Sequence, residues 1–492
     1  MVIPFNVKLE VTAAQAGSAG PPTNIALQSF LTSVKNNSII DSITVEQGGR
    51  TIVNQTSNLS QFVNYKMHST MSQDSVAKMG ASLMYTPDSV GAYTYTGSGT
   101  IGVDNTDNLP TATTNWNKPE SHNSGVIARQ SKLFPYTTAL TTQPKQINEA
   151  DVTQIATANV PLTTAANVVM SDIHFLATIR LRDICPYFET HPKLSRGLGY
   201  RIILRLNQGV TTFLHNSTAN AMPFATMAIS AQTFTPIGSC LTQPAMVHVG
   251  TNTVSTLLTY GNAVTISQDT LKLTSQVDVG SNALLNGIRL YCPSYTASPE
   301  AQSTLMRQPV LNKPFIDLYH NVIQNQLAGN YINTQLASGI SNPKFLVVCP
   351  QIAQAVNSFN SQGSALNTVP GTTDPQLSLT GIQIKVGSEY MLPDRVNYDF
   401  IQFLEQTSTM FGLNANQTNA MSSGIIDFQK FRHNYRYYVF DLSRYLDSQD
   451  NVPRMITLET FNNSNVAVDL YCYCGYERNA EFDLQKGAVQ VE

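Results

Sequence analysis

The chain has 492 residues, only 12% of them charged, and a formal net charge of −3. Soluble domains average roughly 25% charged residues, and a protein that neutralises many phosphates needs Lys/Arg clusters that do not occur here, so extensive direct nucleic-acid binding is excluded. No run of about 18 apolar residues is present, which excludes a membrane-spanning helix, and the length exceeds the roughly 200–250 residues of one all-β core.

Thr, Asn, Ser and Gln make up the charge deficit, with 24 Pro and 28 Gly as punctuation. A polar, uncharged surface suits packing against copies of the same chain, because burying an unpaired ion costs several kcal/mol while neutral polar groups bond in many geometries. A secreted β-sandwich has similar composition. Met1–Lys8 lacks a charged segment followed by an apolar one, so the expectation is a protein that is not secreted.

In chain order, Val7–Val11 reads as a short strand, followed by an arm to residue 25 rich in Ala, Gly, Ser, Pro and Thr. Residues 38–53 read as a hairpin, with Gly48 and Gly49 supplying the positive-φ positions of a tight turn. Leu59, Phe62, Val63 and Met67 then recur at helical spacing. From Met79 to about Arg129 the pattern is weak and holds the single tryptophan, Trp116; so long a stretch predicts a functional loop. Strands are predicted at 173–182 and 200–206, with a short helix and turn between Asp183 and Gly199. Weak strands such as Thr270–Thr274 follow.

A boundary near 275 divides the chain into an arm (1–25), a first β unit (26–275) and a second (276–492). The second unit opens with a predicted strand at Gly287–Cys292. Phe345–Cys349 is a continuous apolar run, expected as a strand buried on both faces. Gly381–Leu392 reads as a hairpin, Tyr398–Met410 as an amphipathic helix, and 435–446, 453–460, 466–476 and 480–484 as strands. This order echoes the first unit: hairpin, helix, then Phe175–Phe188 leading into Tyr200–Leu206, matched by Tyr435–Leu446 leading into Pro453–Glu459. Roughly eight short strands per unit with long crossovers fit a jelly roll. The expected fold class is all-β, two tandem eight-stranded jelly rolls with short helices and long loops.

The chemical motifs are weak. Gly97-Ser-Gly99-Thr-Ile-Gly102 has dinucleotide-site spacing, but the Asp- and Asn-rich segment to Pro110 cannot start the helix that would hold a pyrophosphate. The eight histidines are dispersed; His68 lies beside the apolar face of the first helix and reads as core or interface rather than ligand. Asp104 and Asp107 have no strand framework to hold them at glycosidase spacing. The six cysteines are Cys185, Cys240, Cys292, Cys349, Cys472 and Cys474. Cys472 and Cys474 alternate with Tyr471 and Tyr473 and share one strand face, as structural thiols do. No catalytic residue, cofactor or metal is expected.

Several segments resemble a known family. Ile179-Arg-Leu-Arg-Asp-Ile184, Pro186-Tyr-Phe188 and Tyr200–Asn207, with Ser338–Val348, Ser422–Ile426, Asn434–Tyr438, Val468–Tyr471 and Gly475–Arg478, are similar to the double jelly-roll major capsid proteins of polinton-like and virophage-like double-stranded DNA viruses. Ile40–Val53 and Pro87–Ser89 resemble them as well. The resemblance spans roughly residues 38–488 and departs at about 90–130 and 210–275.

It implies a structural protein of the virion. Three chains would form a pseudo-hexagonal capsomer of six barrels, tiling an icosahedral shell. The implied partners are further copies of the chain, penton and minor capsid proteins and an internal membrane surface, without sequence-specific nucleic-acid contact. Long loops would lock the trimer, with Trp116 as the candidate contact because a lone Trp in a polar loop is often buried by a partner. The other readings are a tandem β-sandwich carbohydrate-binding protein and a two-domain glycosidase.

Overall fold

The computed structural model describes residues 1–13, 32–34, 40–55, 58–80, 83, 85, 134–135, 168–189, 199–206, 209–215, 227–230, 238–240, 261–269, 289–292, 296–307, 310–353, 378–392, 394–409, 424–433, 435–443, 452–464, 467–483 and 488–491. The first half contains β1 (Val2–Ala13), β2 (Thr32–Val34), β3 (Ile40–Gln47), β4 (Arg50–Gln55), α1 (Leu59–Thr70), β5 (Phe134–Pro135), β6 (Val168–Thr178), α2 (Leu181–Ile184), β7 (Tyr200–Leu206), β8 (Gly209–His215), β9 (Met227–Ser230), β10 (Gly238–Cys240) and β11 (Gly261–Asp269). The second contains α3 (Pro299–Arg307), β12 (Val310–Gln326), β13 (Tyr331–Ile340), β14 (Pro343–Ile352), β15 (Leu379–Val386), β16 (Glu389–Tyr390), α4 (Phe400–Thr409), α5 (Phe428–His433), β17 (Tyr438–Asp441), β18 (Arg454–Asn462), β19 (Val468–Asp483) and β20 (Ala488–Val491).

Strands β12 to β19 are eight in number and form two antiparallel sheets, ordered β12-β19-β14-β17 and β13-β18-β15-β16. Counted one to eight along the chain, the orders are 1-8-3-6 and 2-7-4-5. The pairs 1-8, 2-7, 3-6 and 4-5 are those of one long antiparallel hairpin folded back on itself, and 8-3 and 7-4 are added when that hairpin is rolled up. This is a jelly roll, established by strand order alone.

Its core follows from alternation. Leu346 and Val348 of β14, Ile382 and Ile384 of β15, Ile456 and Leu458 of β18, and Leu470, Cys472 and Cys474 of β19 point inward and form one buried cluster. Phe345, Val347 and Cys349 point to the other face of β14 and are buried too, so this strand is apolar throughout. The two predicted strands at 466–476 and 480–484 are one strand, β19, long enough to pair with β12, β14 and β20. Of the strand predicted at Gly287–Cys292, Arg289 forms a β-bridge and 290–292 are irregular, while 287 and 288 lie outside the described residues.

In the first half the three-stranded sheet β4-β3-β7 has the order of β16-β15-β18. The hairpin turn is made by Gly48 at φ 58° and Gly49 at φ 78°, the conformation a two-residue turn between twisted strands requires. A six-stranded sheet, β5-β6-β1-β11-β8-β9, and a two-stranded sheet, β10-β2, complete the described part. The N-terminal strand is longer than the predicted Val7–Val11, running from Val2 to Ala13 between β6 and β11. The helix expected after Asp183 starts earlier, at Leu181, and is followed by a 3₁₀ turn at Pro186–Phe188.

The hairpin repeats in register: β3 and β15 end at Gln47 and Val386, 339 positions apart (386 − 47), and each is followed by a positive-φ glycine, Gly48 or Gly387. A helix follows each hairpin, α1 beginning at Leu59 and α4 at Phe400. Hairpin and helix are therefore one supersecondary unit used twice.

Candidate functional site, an aromatic seam between the halves

Helix α1 is buried at every residue from Leu59 to Ser69, including Gln61, Asn64, Lys66 and His68. Its sequence offers one apolar stripe, which covers one face of a helix. The other face is buried because the second half of the chain covers it.

On its own side, α1 packs on β3 and α2. Lys66 Nζ donates to the Arg182 carbonyl at 2.9 Å and pairs with Glu189 at 2.6 Å, so its charge is satisfied within the first half. On the far side, Phe62 stacks on Phe345 of β14 with ring centroids 6.0 Å apart and planes 3° from parallel, and Tyr473 of β19 closes at 5.6 Å. Tyr65 meets Tyr437 edge-on at 5.0 Å. Such offset and edge-on pairs add roughly 0.5–1.5 kcal/mol each beyond area burial.

Polar bonds fix the register of this contact. The Tyr473 hydroxyl donates to the Asn58 carbonyl at 2.6 Å, Gln351 Nε2 donates to Gln61 Oε1 at 3.3 Å, and Arg478 Nη1 donates to the Ile52 carbonyl at 3.3 Å. The same Arg478 nitrogen lies 2.9 Å from Asp317. Burial raises the Asp317 carboxyl above its usual range, and the Arg478 bond opposes the shift. Gly475 makes room for the stack: a Cβ there would overlap the Phe345 ring.

Two basic groups sit in the seam without full satisfaction. His68 lies against Tyr435 at 4.0 Å between centroids and against Tyr85 at 5.2 Å. Its Nδ1 faces the Asn64 carbonyl, which can only accept, so the ring proton sits on Nδ1, and the buried Nε2 has no hydrogen-bond partner. Burial pushes its pKa down to about 3, the Asn64 carbonyl opposes that, and the nearby Lys430 charge adds to it. Lys313 of β12 places Nζ 3.8 Å above the Tyr187 ring and has no hydrogen-bond partner. Burial lowers its pKa to about 7, with Cys185 opposing. Tyr187 itself donates to Gln47 at 2.9 Å and meets Phe315 edge-on at 5.2 Å.

His68 thus takes the core-and-interface place read from its sequence position. Cys472 and Cys474 face one core, as their spacing implied; burial pushes the Cys474 thiol up to about 12 and Cys472 higher still, so both are unreactive. Trp116, Asp104, Asp107 and the glycines at 97–102 lie outside the described residues. Lys313 was not singled out, while Tyr187, Phe345 and Tyr437 fall within segments that carry the family resemblance, and Phe345 opens the apolar run read as a buried strand. Among the described residues no group of His, Cys, Asp and Glu could hold a metal, and no helix is long and apolar enough to cross a membrane.

The seam is heterologous. The first half contributes a hairpin and helix; the second contributes the outer face of β12-β19-β14-β17. Burial shifts the seam's ionisable groups toward their neutral forms, or they are paired.

No family model and no curated protein matches the sequence. Among solved structures, the chain is similar to that of the Sputnik virophage determined by cryo-EM, at 10% identity and a TM-score of 0.39, over 100% of this chain and 81% of that one. It is similar to the mavirus major capsid protein at 10% identity and a TM-score of 0.39, over 100% and 83% of the two chains. It is also similar to a chain of the PBCV-1 virus capsid at 9% identity and a TM-score of 0.35, over 100% and 89%.

Proposed function

We propose that this chain is the major capsid protein of a double-stranded DNA virus or virus-like element, structural rather than catalytic. Three copies form a pseudo-hexagonal capsomer, and capsomers tile an icosahedral shell with penton and minor capsid proteins, over a membrane surface where one is present. The two jelly-roll units are residues 26–275, joined by β1 of the predicted arm, which pairs with β6 and β11, and 276–492, and the loop carrying Trp116 contributes to the trimer contact.

The observation that supports this best is the heterologous seam between two copies of one β unit. A head-to-tail interface leaves one donor surface and one acceptor surface unused at the ends of the chain. Such interfaces propagate until rotation closes them into a ring. Six similar units in a ring, two per chain, give a threefold particle with a sixfold outline, which suits a lattice of hexagonal positions.

The test is the mass of the purified protein by light scattering, with negative-stain images of the peak. A particle of about 161 kDa, three times 53.8 kDa, with a hexagonal outline is expected. A particle that stays a monomer at high concentration overturns the proposal and returns the chain to a tandem β-sandwich binding protein, for which a glycan screen follows.

A further inference from the structure

Among the described residues, three basic side chains bury a nitrogen that has no hydrogen-bond partner: His68, Lys313 and His320. All three lie along the seam. His68 belongs to the first half and is covered by Tyr435 and Tyr437 of the second. Lys313 belongs to the second half and is covered by Tyr187 of the first. His320 stands opposite Tyr473 on β12 and stacks on its ring at 4.7 Å, and Phe62 caps Tyr473 from the other half. The buried cluster inside the jelly roll contains none of the three.

A proton added to any of these nitrogens creates a buried charge without an acceptor, which is strongly unfavourable. The cover is reciprocal, so parting the halves uncovers His68 and Lys313 together while each half keeps its own core. The surroundings offer the new charges no carboxylate. His68 faces the Asn64 carbonyl on its own helix and Lys430, which is paired with Asp427 at 3.7 Å. Lys313 faces Tyr187 and Cys185. His320 faces Tyr471 and Tyr473. The Lys66–Glu189 pair lies within the first half and survives separation. Asp317 acts in the opposite sense: burial raises its carboxyl and the Arg478 bond opposes the shift, so acid favours the closed seam at that one group.

We propose that the seam is an acid-operated latch: protonation of His68, His320 and Lys313 parts the two halves while each half stays folded. Burial holds Lys313 at about 7, His320 at about 4 and His68 at about 3 in the closed chain. In water the same groups titrate near 10.4 for lysine and 6.5 for histidine. The open chain therefore takes up the protons first, and acid favours it. The Lys313 contribution is complete below about pH 7. From about pH 6.5 down to about 4.5, each histidine raises the open-to-closed ratio by at most about tenfold per pH unit. The two together reach at most about 10,000-fold over that interval, less the share that Asp317 returns.

The protein's own thiols separate opening from unfolding. Cys185 lies two residues from Tyr187, and Cys349 shares the seam-facing side of β14 with Phe345; both are fully buried. Cys472 and Cys474 face the jelly-roll core. The full chain is labelled between about pH 7.5 and 4 with a dipyridyl disulfide, which reacts with thiols even in acid, and each cysteine is read by peptide mass spectrometry. The labelling rates of Cys185 and Cys349, taken relative to those of Cys472 and Cys474, are expected to rise at least about tenfold between about pH 6.5 and 4.5. In the triple variant His68→Phe, His320→Phe, Lys313→Met this ratio should stay flat. The proposal is overturned if all four thiols become reactive together, if Cys185 and Cys349 stay protected to about pH 4, or if the triple variant opens at the wild-type pH. Should the triple variant lack the wild-type circular-dichroism spectrum, His320→Phe alone takes its place, and an opening midpoint no lower than that of wild type overturns the latch.

Discussion

Phe62 of α1 and Phe345 of β14 lie face to face across the seam, 6.0 Å between centroids and 3° from parallel. Both are at most 1% exposed. Neither half can bury its own ring without the other: the helix is covered by a sheet that the chain reaches only some 280 residues later. This couples the folding of the two halves and sets their relative orientation, which separately folded domains leave free by default.

Truncating this contact should uncouple the halves. Phe62→Ala removes a fully buried ring from between Phe345 and Tyr473, and such changes cost about 3–5 kcal/mol. Urea unfolding followed by circular dichroism and by tyrosine fluorescence should then show two transitions in place of one. Coincident transitions with an unchanged midpoint would show that the seam contributes little.

Gly424 should tolerate no side chain. It has φ of 66°, and a Cβ there would overlap the His68 carbonyl. The adjacent Ile425 N–H donates to that same carbonyl at 2.9 Å. Gly424→Ala therefore forces the loop away from the end of α1 and loses this bond, with an expected loss of about 2–4 kcal/mol in thermal or chemical unfolding. An exposed glycine of similar φ with free space, Gly329, is the control, and Gly329→Ala should cost about 1 kcal/mol.

Removing the buried amine should stabilise the protein. Lys313 is held neutral in the folded chain down to about pH 7, whereas in the unfolded chain it stays charged to about 10.4. Between those values the unfolded state binds the extra proton, so stability rises with pH; below about 7 the folded state bears the full cost of a buried ammonium. Lys313→Met keeps the stem that covers Tyr187 and removes the charge. It should gain about 1–4 kcal/mol at neutral pH, and the rise in stability toward high pH should flatten. A less stable variant would mean that the ammonium–ring contact outweighs its desolvation.

His68 gives the seam an acid limb. Its folded pKa of about 3 lies below the ordinary value near 6.5. Its contribution to stability is constant above about 6.5 and is lost progressively as pH falls toward 3, because the unfolded chain takes the proton first. His68→Phe leaves an aromatic ring against Tyr435 and cannot be protonated. Urea midpoints measured between about pH 7 and 4 should fall less steeply for this variant than for wild type. Parallel curves would place the acid sensitivity elsewhere.

Local patterns were legible where one physical rule dominated. Gly48 and Gly49 between alternating strands, the apolar run at Phe345–Cys349 and the shared face of Cys472 and Cys474 are each set by the period of two or by turn stereochemistry. Strand β12 was not legible. Val310–Gln326 carries Pro314, Lys313, Asp317 and His320, a composition that reads as loop, and it is a strand because its partner β19 supplies the ladder over nearly its whole length. Tertiary pairing overrode local propensity there.

The sequence by itself determined the all-β class, the hairpin–helix unit and its repetition, since all three are written in spacing and in turn residues close together along the chain. Only the tertiary structure decided that Gln61, Asn64 and Lys66 are buried and that Phe62 is capped by Phe345. Burial of a helix's second face depends on what a distant segment brings to it, and no periodicity within the helix records that.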